Sequence, residues 1–186
     1  MMSVRFSGII LAMLAATAVS AQVVQQQPTS ALKGHNTNAP VDVTSDRIEV
    51  QERADRAVFT GNVHATQADL TLDTQRLTVA YSTGQGSNNV QINRLDAAGG
   101  VVVRDPSETA KGDLGVYDLD RKLITLIGNV QLTRDNNQVN GARLVIDLNS
   151  GRAVIDGGPP GVNSTGGRVS GHFTVPQRQQ PQQQSK

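Results

Sequence analysis

One run of residues returns along this chain, and that return limits the fold more than any other feature. Asp55-Arg56-Ala57-Val58-Phe59-Thr60-Gly61-Asn62-Val63-His64-Ala65 comes back as Leu95-Asp96-Ala97-Ala98-Gly99-Gly100-Val101-Val102-Val103 and again as Asp120-Arg121-Lys122-Leu123-Ile124-Thr125-Leu126-Ile127-Gly128-Asn129-Val130-Gln131-Leu132. A fainter copy is Arg152-Ala153-Val154-Ile155-Asp156-Gly157-Gly158. Self-similarity at a short period means one supersecondary unit stacked on copies of itself. The glycines Gly61, Gly99, Gly128 and Gly157 are spaced 38, 29 and 29 residues apart. The longer first interval holds a turn-forming insertion, Ser82 to Val90, so the basic unit is 29 residues. A second apolar run follows each glycine. Arg76-Leu77-Thr78-Val79 lies 15 to 18 residues past Gly61, and Arg143-Leu144-Val145-Ile146 lies 15 to 18 past Gly128. In the middle unit Asp113-Leu114-Gly115-Val116 is taken as arriving one residue early.

Within a unit, apolar and polar residues alternate with the period of two that marks a half-buried strand. Ala57, Phe59, Gly61, Val63 and Ala65 alternate with a mostly polar set, and Ile124, Leu126, Gly128, Val130 and Leu132 repeat the pattern. No segment after residue 22 has helical spacing, so the chain is expected to be all-β. Extended over the copies, the alternation predicts one continuous inward apolar face: Ile48, Val50, Phe59, Val63, Leu70, Leu72, Leu77, Val79, Val101, Val103, Leu114, Val116, Ile124, Leu126, Val130, Leu132, Leu144 and Ile146. Glycine weakens a strand interior unless it marks a bend or a close approach. Each repeat glycine is therefore expected to bend its strand, folding the sheet into a V or flattened roll open at both ends.

Composition closes off several kinds of function. Lys+Arg 17 against Asp+Glu 16 leaves no basic field for nucleic acid, and Phe 3, Tyr 2 and Trp 0 leave no stacking platforms. With Cys 0 there is no disulfide, thiolate metal site or thiol nucleophile. His35, His64 and His172 are too scattered to suggest a metal cluster and read as surface residues. The many aspartates fall mostly at strand ends, where turns favour them. No nucleophile elbow, phosphate-binding loop or dinucleotide fingerprint occurs, so nothing demands catalysis or a cofactor. A β-helix hydrolase with paired carboxylates stays open only as a weaker alternative.

At the N-terminus Arg5 precedes an apolar run, Phe6 to Val19, followed by the small residues Ser20-Ala21. This is the plan of a cleaved export signal over residues 1–21, and the run is shorter than the ~20 residues that span a bilayer; a retained anchor is the alternative. Residues 22–40 and 176–186 are polar, Gln-rich and aperiodic, and are expected to be a flexible linker and tail around a domain at 41–175.

An aliphatic inner face with few aromatics suits alkyl chains. Each buried methylene is worth about 0.8 kcal/mol, so an exported carrier of acyl chains must supply such a groove. The alternative is a structural module whose inner face packs on itself as a dry core. Unpaired strands near Val41–Val50 and Arg168–Val175 would invite strand addition, and a heterologous contact of that kind propagates.

The export signal, Ser45-Asp46-Arg47-Ile48-Glu49-Val50, the paired Phe59-Thr60-Gly61-Asn62-Val63 and Leu126-Ile127-Gly128-Asn129-Val130, and Leu77-Thr78-Val79-Ala80-Tyr81 together resemble the OstA-like domain family of periplasmic lipopolysaccharide-transport proteins over residues 41–158. The resemblance implies a slightly twisted antiparallel β-jellyroll whose interior holds lipid A acyl chains. It also implies end-to-end joining with other copies, with an LptC-like inner-membrane protein and with an LptD-like outer-membrane translocon, in building the outer membrane of a Gram-negative envelope. It implies no cofactor and no reaction. An LptC-like identity, which a retained anchor would favour, stays open.

Overall fold

A computed structural model describes residue 32 and residues 35–83, 90–158 and 167–175. The expected export signal, the first part of the linker, the centre of the Ser82–Val90 insertion, Pro159, Pro160 and the C-terminal tail lie outside the described residues. The described chain is almost entirely antiparallel sheet. Its strands are β1 (Val41–Thr44), β2 (Arg47–Gln51), β3 (Arg56–Gln67), β4 (Leu70–Thr83), β5 (Val90–Arg104), β6 (Glu108–Asp118), β7 (Leu123–Arg134), β8 (Asn137–Asp147), β9 (Arg152–Asp156) and β10 (Ser170–His172). One 3-10 turn, Glu52–Ala54, joins β2 to β3. This is the expected all-β architecture.

Sequential hairpins order the sheet β1-β3-β4-β5-β6-β7-β8-β10, with β2 also on β3 and β9 also on β8. Each edge is therefore made of two short strands. β1 and β2 lie along the two ends of β3, broken at Ser45-Asp46, and β9 and β10 lie along the two ends of β8. The sheet does not close on itself among the described residues.

Three of the four repeat glycines, Gly61, Gly99 and Gly128, bend their strands as the sequence predicted, whereas Gly157 lies just past the end of β9 and bends none. Pairing slips between Thr60 and Val63 of β3, between Ala98 and Val101 of β5 and between Ile127 and Val130 of β7, in each case with one extra residue on that strand. These are β-bulges, which bend a strand and increase its twist. In each, two successive residues take left-handed conformations: Gly61 (φ 82°) and Asn62 (φ 45°), Gly99 (φ 92°) and Gly100 (φ 79°), Gly128 (φ 80°) and Asn129 (φ 45°). Glycine and asparagine tolerate that region best, which explains the Gly-Asn and Gly-Gly pairs. Two bulges carry the same strut. Asn62 Nδ2 donates to Asp46 Oδ2 at 2.9 Å, and Asn129 Nδ2 donates to Asp113 Oδ2 at 2.8 Å.

The bulges form a seam across the sheet, and the two halves fold over it. Buried residues on both sides make one cluster, with Val63, Leu77, Val101, Leu126, Val130, Leu144 and Ile146 the most enclosed. Val63, Val101 and Val130 are the same repeat position, two residues after the bulge glycine. Thr74, buried on the seam, donates its hydroxyl to Ala98 O at 2.8 Å, so its polar atom is satisfied.

Candidate functional site

Residues directly opposite in a sheet share a face, so the register lays out the interior row by row. On one side of the seam, Phe59, Leu77, Ala97, Gly115, Leu126, Leu144 and Ile155 form one row. The next row is Ala57, Val79, Leu95, Tyr117, Ile124, Ile146 and Ala153. Across the seam, Ala65, Leu72, Val103, Ala110, Leu132 and Val139 face them. The middle of the first row is made of small residues, Ala97 and Gly115. Beside them lies an apolar cavity of about 40 Å³, lined from both halves by Leu70, Leu72, Leu95, Val101, Val103 and Leu126, among others.

Most of the expected inward residues lie in this interior. Val63, Leu70, Leu77, Val79, Val101, Val103, Ile124, Leu126, Val130, Leu144 and Ile146 are buried, and Phe59, Leu72 and Leu132 are partly buried against the same cluster. Ile48 and Val50 pair with Phe59 and Ala57 and so belong to the same face, but they are 56% and 57% exposed. They sit on β2, which among the described residues pairs only with β3, and the opposite half leaves them exposed.

Leu114 and Val116 are a correction. Leu114 is 48% exposed and pairs with Ala98 and Ile127, while Val116 pairs with Asp96 and Thr125, so both belong to the outer face. Gly115 and Tyr117 take the inward positions. β6 has no extra residue of its own, so the supposed early arrival does not exist. Counted 16 and 18 residues from Gly99, as Leu77 and Val79 are from Gly61, the inward residues are Gly115 and Tyr117.

Polar groups close one end of the interior. Tyr117 Oη donates to Gln67 Oε1 at 3.0 Å, although β4 and β5 lie between their strands, so this bond joins the two halves. Burial pushes the Tyr117 hydroxyl up to about 12. Gln67, itself buried, donates Nε2 to Thr37 O and Ala39 O, both at 3.0 Å. His35, expected at the surface, has a side chain only 1% exposed, with Nε2 3.1 Å from Gln67 Oε1 and Nδ1 3.1 Å from Asp69 Oδ1. Leu32 and residues 35–40, inside the stretch whose composition reads as linker, thus pack against the sheet; one buried leucine and one histidine are too few to show in composition.

The outer face is different in kind. His64 Nδ1 lies 2.7 Å from Asp73 Oδ1, and Arg104 Nη1 pairs with Asp73 Oδ2, all three half exposed. Burial pushes the Asp73 carboxyl up, but hydrogen bonds from His64 and Arg104 outweigh it and hold the group below the usual carboxylate range. Such exposed pairs add at most about 1 kcal/mol.

An antiparallel sheet folded along a seam of bulges around an apolar interior, closed at one end by buried polar groups, defines a β-jellyroll. Residues 42–152 match the family described as LptA/(LptD N-terminal domain) LPS transport protein, and the chain belongs to that family. The family is one of transport proteins, so its role lies in lipopolysaccharide transport. An uncharacterized protein of Rhizobium meliloti (strain 1021) is 29% identical over 162 residues, covering 84% of this chain and 83% of its own length. LptH of Pseudomonas aeruginosa, described as the LptA-homologous periplasmic component of that organism's lipopolysaccharide transport device, superposes with a TM-score of 0.66 at 17% identity. That match covers 76% of this chain and 99% of LptH, and it is a likeness of fold.

Proposed function

We propose that the chain is exported to the periplasm and carries lipopolysaccharide by taking lipid A acyl chains between the two halves of its folded sheet. The observation that carries this reading is the largely aliphatic interior, whose rows run from β3 to β9. An acyl chain of a dozen carbons is far larger than a cavity of about 40 Å³, so the halves part to admit it. Its loss of contact with water then offsets the opening, at about 0.8 kcal/mol per methylene. The exposed Ile48 and Val50 extend the apolar face to an edge that no other described strand pairs with. Through such edges the domain joins copies of itself, an LptC-like partner and an LptD-like partner by strand addition, and the apolar face continues from one domain to the next.

Photo-crosslinking side chains placed singly at Phe59, Val63 and Leu126 are expected to capture lipopolysaccharide in cells, whereas the same groups at the exposed Thr60 and Asn62 are not. The small cavity favours the competing reading of a structural module with a dry core. Equal labelling of both faces, or none, would decide for it.

A further inference from the structure

The described residues ahead of β1, Leu32 and residues 35–40, add no strand to the sheet, yet they are tied into the interior. Leu32 is 4% exposed and belongs to the same apolar cluster as Val63, Leu77 and Leu126. Just behind it, His35 is seated between Gln67 and Asp69, and Gln67 holds the carbonyls of Thr37 and Ala39. Gln67 lines the cavity, as does Tyr117, and the two are hydrogen-bonded to each other across the fold. One glutamine therefore binds the segment with its amide nitrogen, and its amide oxygen, shared between His35 and Tyr117, ties the segment to the joint between the halves. A segment needed only to lead into β1 has no reason to bury a leucine in the core and a histidine ring behind it. Burying an aliphatic group at one end of an aliphatic interior is also what an incoming acyl chain would do there.

We propose that Leu32, latched by the His35–Ala39 stretch, is a built-in plug that competes with an acyl chain for the interior, so that lipid entry expels Leu32 and opens the Gln67–Tyr117 clasp. This rests on the reading that the interior takes acyl chains. Because only the unplugged population binds, the plug lowers apparent affinity by the fraction of time it is seated.

The chain has no cysteine, so Asn38→Cys, at an exposed position of the latching stretch, gives a single nitroxide site in the full chain. Dodecanoate below its micelle concentration is the probe, with binding measured by equilibrium dialysis. Saturation should convert the label from slow to fast motion. Leu32→Gln should free the label without probe and tighten dodecanoate binding by roughly tenfold or more. Binding with no change in label motion, or an affinity unaltered by Leu32→Gln, overturns the plug while leaving the carrier reading in place. Absence of binding to both proteins overturns the carrier reading, and the plug with it. If Leu32→Gln does not fold, the label response of the otherwise unchanged chain still decides.

Discussion

Gly128 and Gly100 have nearly the same backbone angle, φ 80° and 79°, but different surroundings. A Cβ at Gly100 meets nothing within 4 Å, whereas one at Gly128 would overlap the Asp113 carboxylate that accepts from Asn129. Gly100→Ala therefore carries only the left-handed backbone term of about 1–2 kcal/mol, reduced by roughly 0.4–1 kcal/mol because alanine restricts the unfolded chain. A net loss of about 1 kcal/mol follows. Gly128→Ala carries the same term and also displaces Asp113, losing a charge-assisted bond at a solvent-facing position worth about 1–2 kcal/mol. Its total is about 2–3 kcal/mol. With urea m-values of about 1–3 kcal/mol/M, the two variants should differ in unfolding midpoint by roughly 1 M. In an Asp113→Ala background the obstacle is gone, and Gly128→Ala should cost about as much as Gly100→Ala. Equal midpoints for the two single variants, or an unchanged penalty in the Asp113→Ala background, would refute the assignment of Asp113 as a strut.

The alkaline limb of stability should belong to Tyr117. A hydroxyl titrating at about 12 when folded and about 10 when unfolded favours folding fully below about pH 10 and loses that contribution as pH rises through about 12. Tyr117→Phe should flatten this part of a pH series of urea midpoints, and an unaltered slope would count against the buried hydroxyl as its source. The outward placement of Leu114 is tested by comparison with Leu144, which is 0% exposed. Leu144→Ala should cost about 3–5 kcal/mol and Leu114→Ala under about 1 kcal/mol by urea unfolding, and similar losses would put Leu114 back inside.

The repeat made most of this fold legible before any coordinates. A 29-residue unit is one bulged strand and one plain strand, so locating Gly61, Gly99 and Gly128 located both the hairpins and the seam. The alternation then placed Val63, Leu126 and Leu144 correctly, because a strand's two faces allow no third choice. Error entered in the middle unit, where Leu114 and Val116 were more hydrophobic than Gly115 and so drew the inward assignment. Constant spacing from the glycine was the better guide there, since register is fixed by backbone pairing and not by which side chain is greasier. The Leu32–Gln67–Tyr117 arrangement had no such signal. It joins residues far apart in the chain through single side chains, and nothing periodic marks them.

The same comparison exposes what is unusual in the middle unit. At the position 16 residues past the bulge glycine, the flanking units place Leu77 and Leu144, both 0% exposed, whereas the middle unit places Gly115. Two residues before the glycine, where the flanking units have Phe59 and Leu126, it has Ala97. The wall is thus thinnest at the centre of the sheet, where the cavity lies, and the flanking units supply the packing. Restoring a repeat's consensus usually stabilises a protein. Here Gly115→Leu should do the opposite, because its Cβ alone would lie 3.0 Å from Val101 Cγ1 and 3.1 Å from Leu126 Cδ2. Overpacking of that kind costs about 1–3 kcal/mol, and the added side chain occupies the space an acyl chain needs. Urea unfolding should show the loss, and crosslinking from Val63 should no longer capture lipopolysaccharide. A Gly115→Leu variant more stable than its parent and still capturing lipid would mean that the small residues of the middle unit are not there to make room.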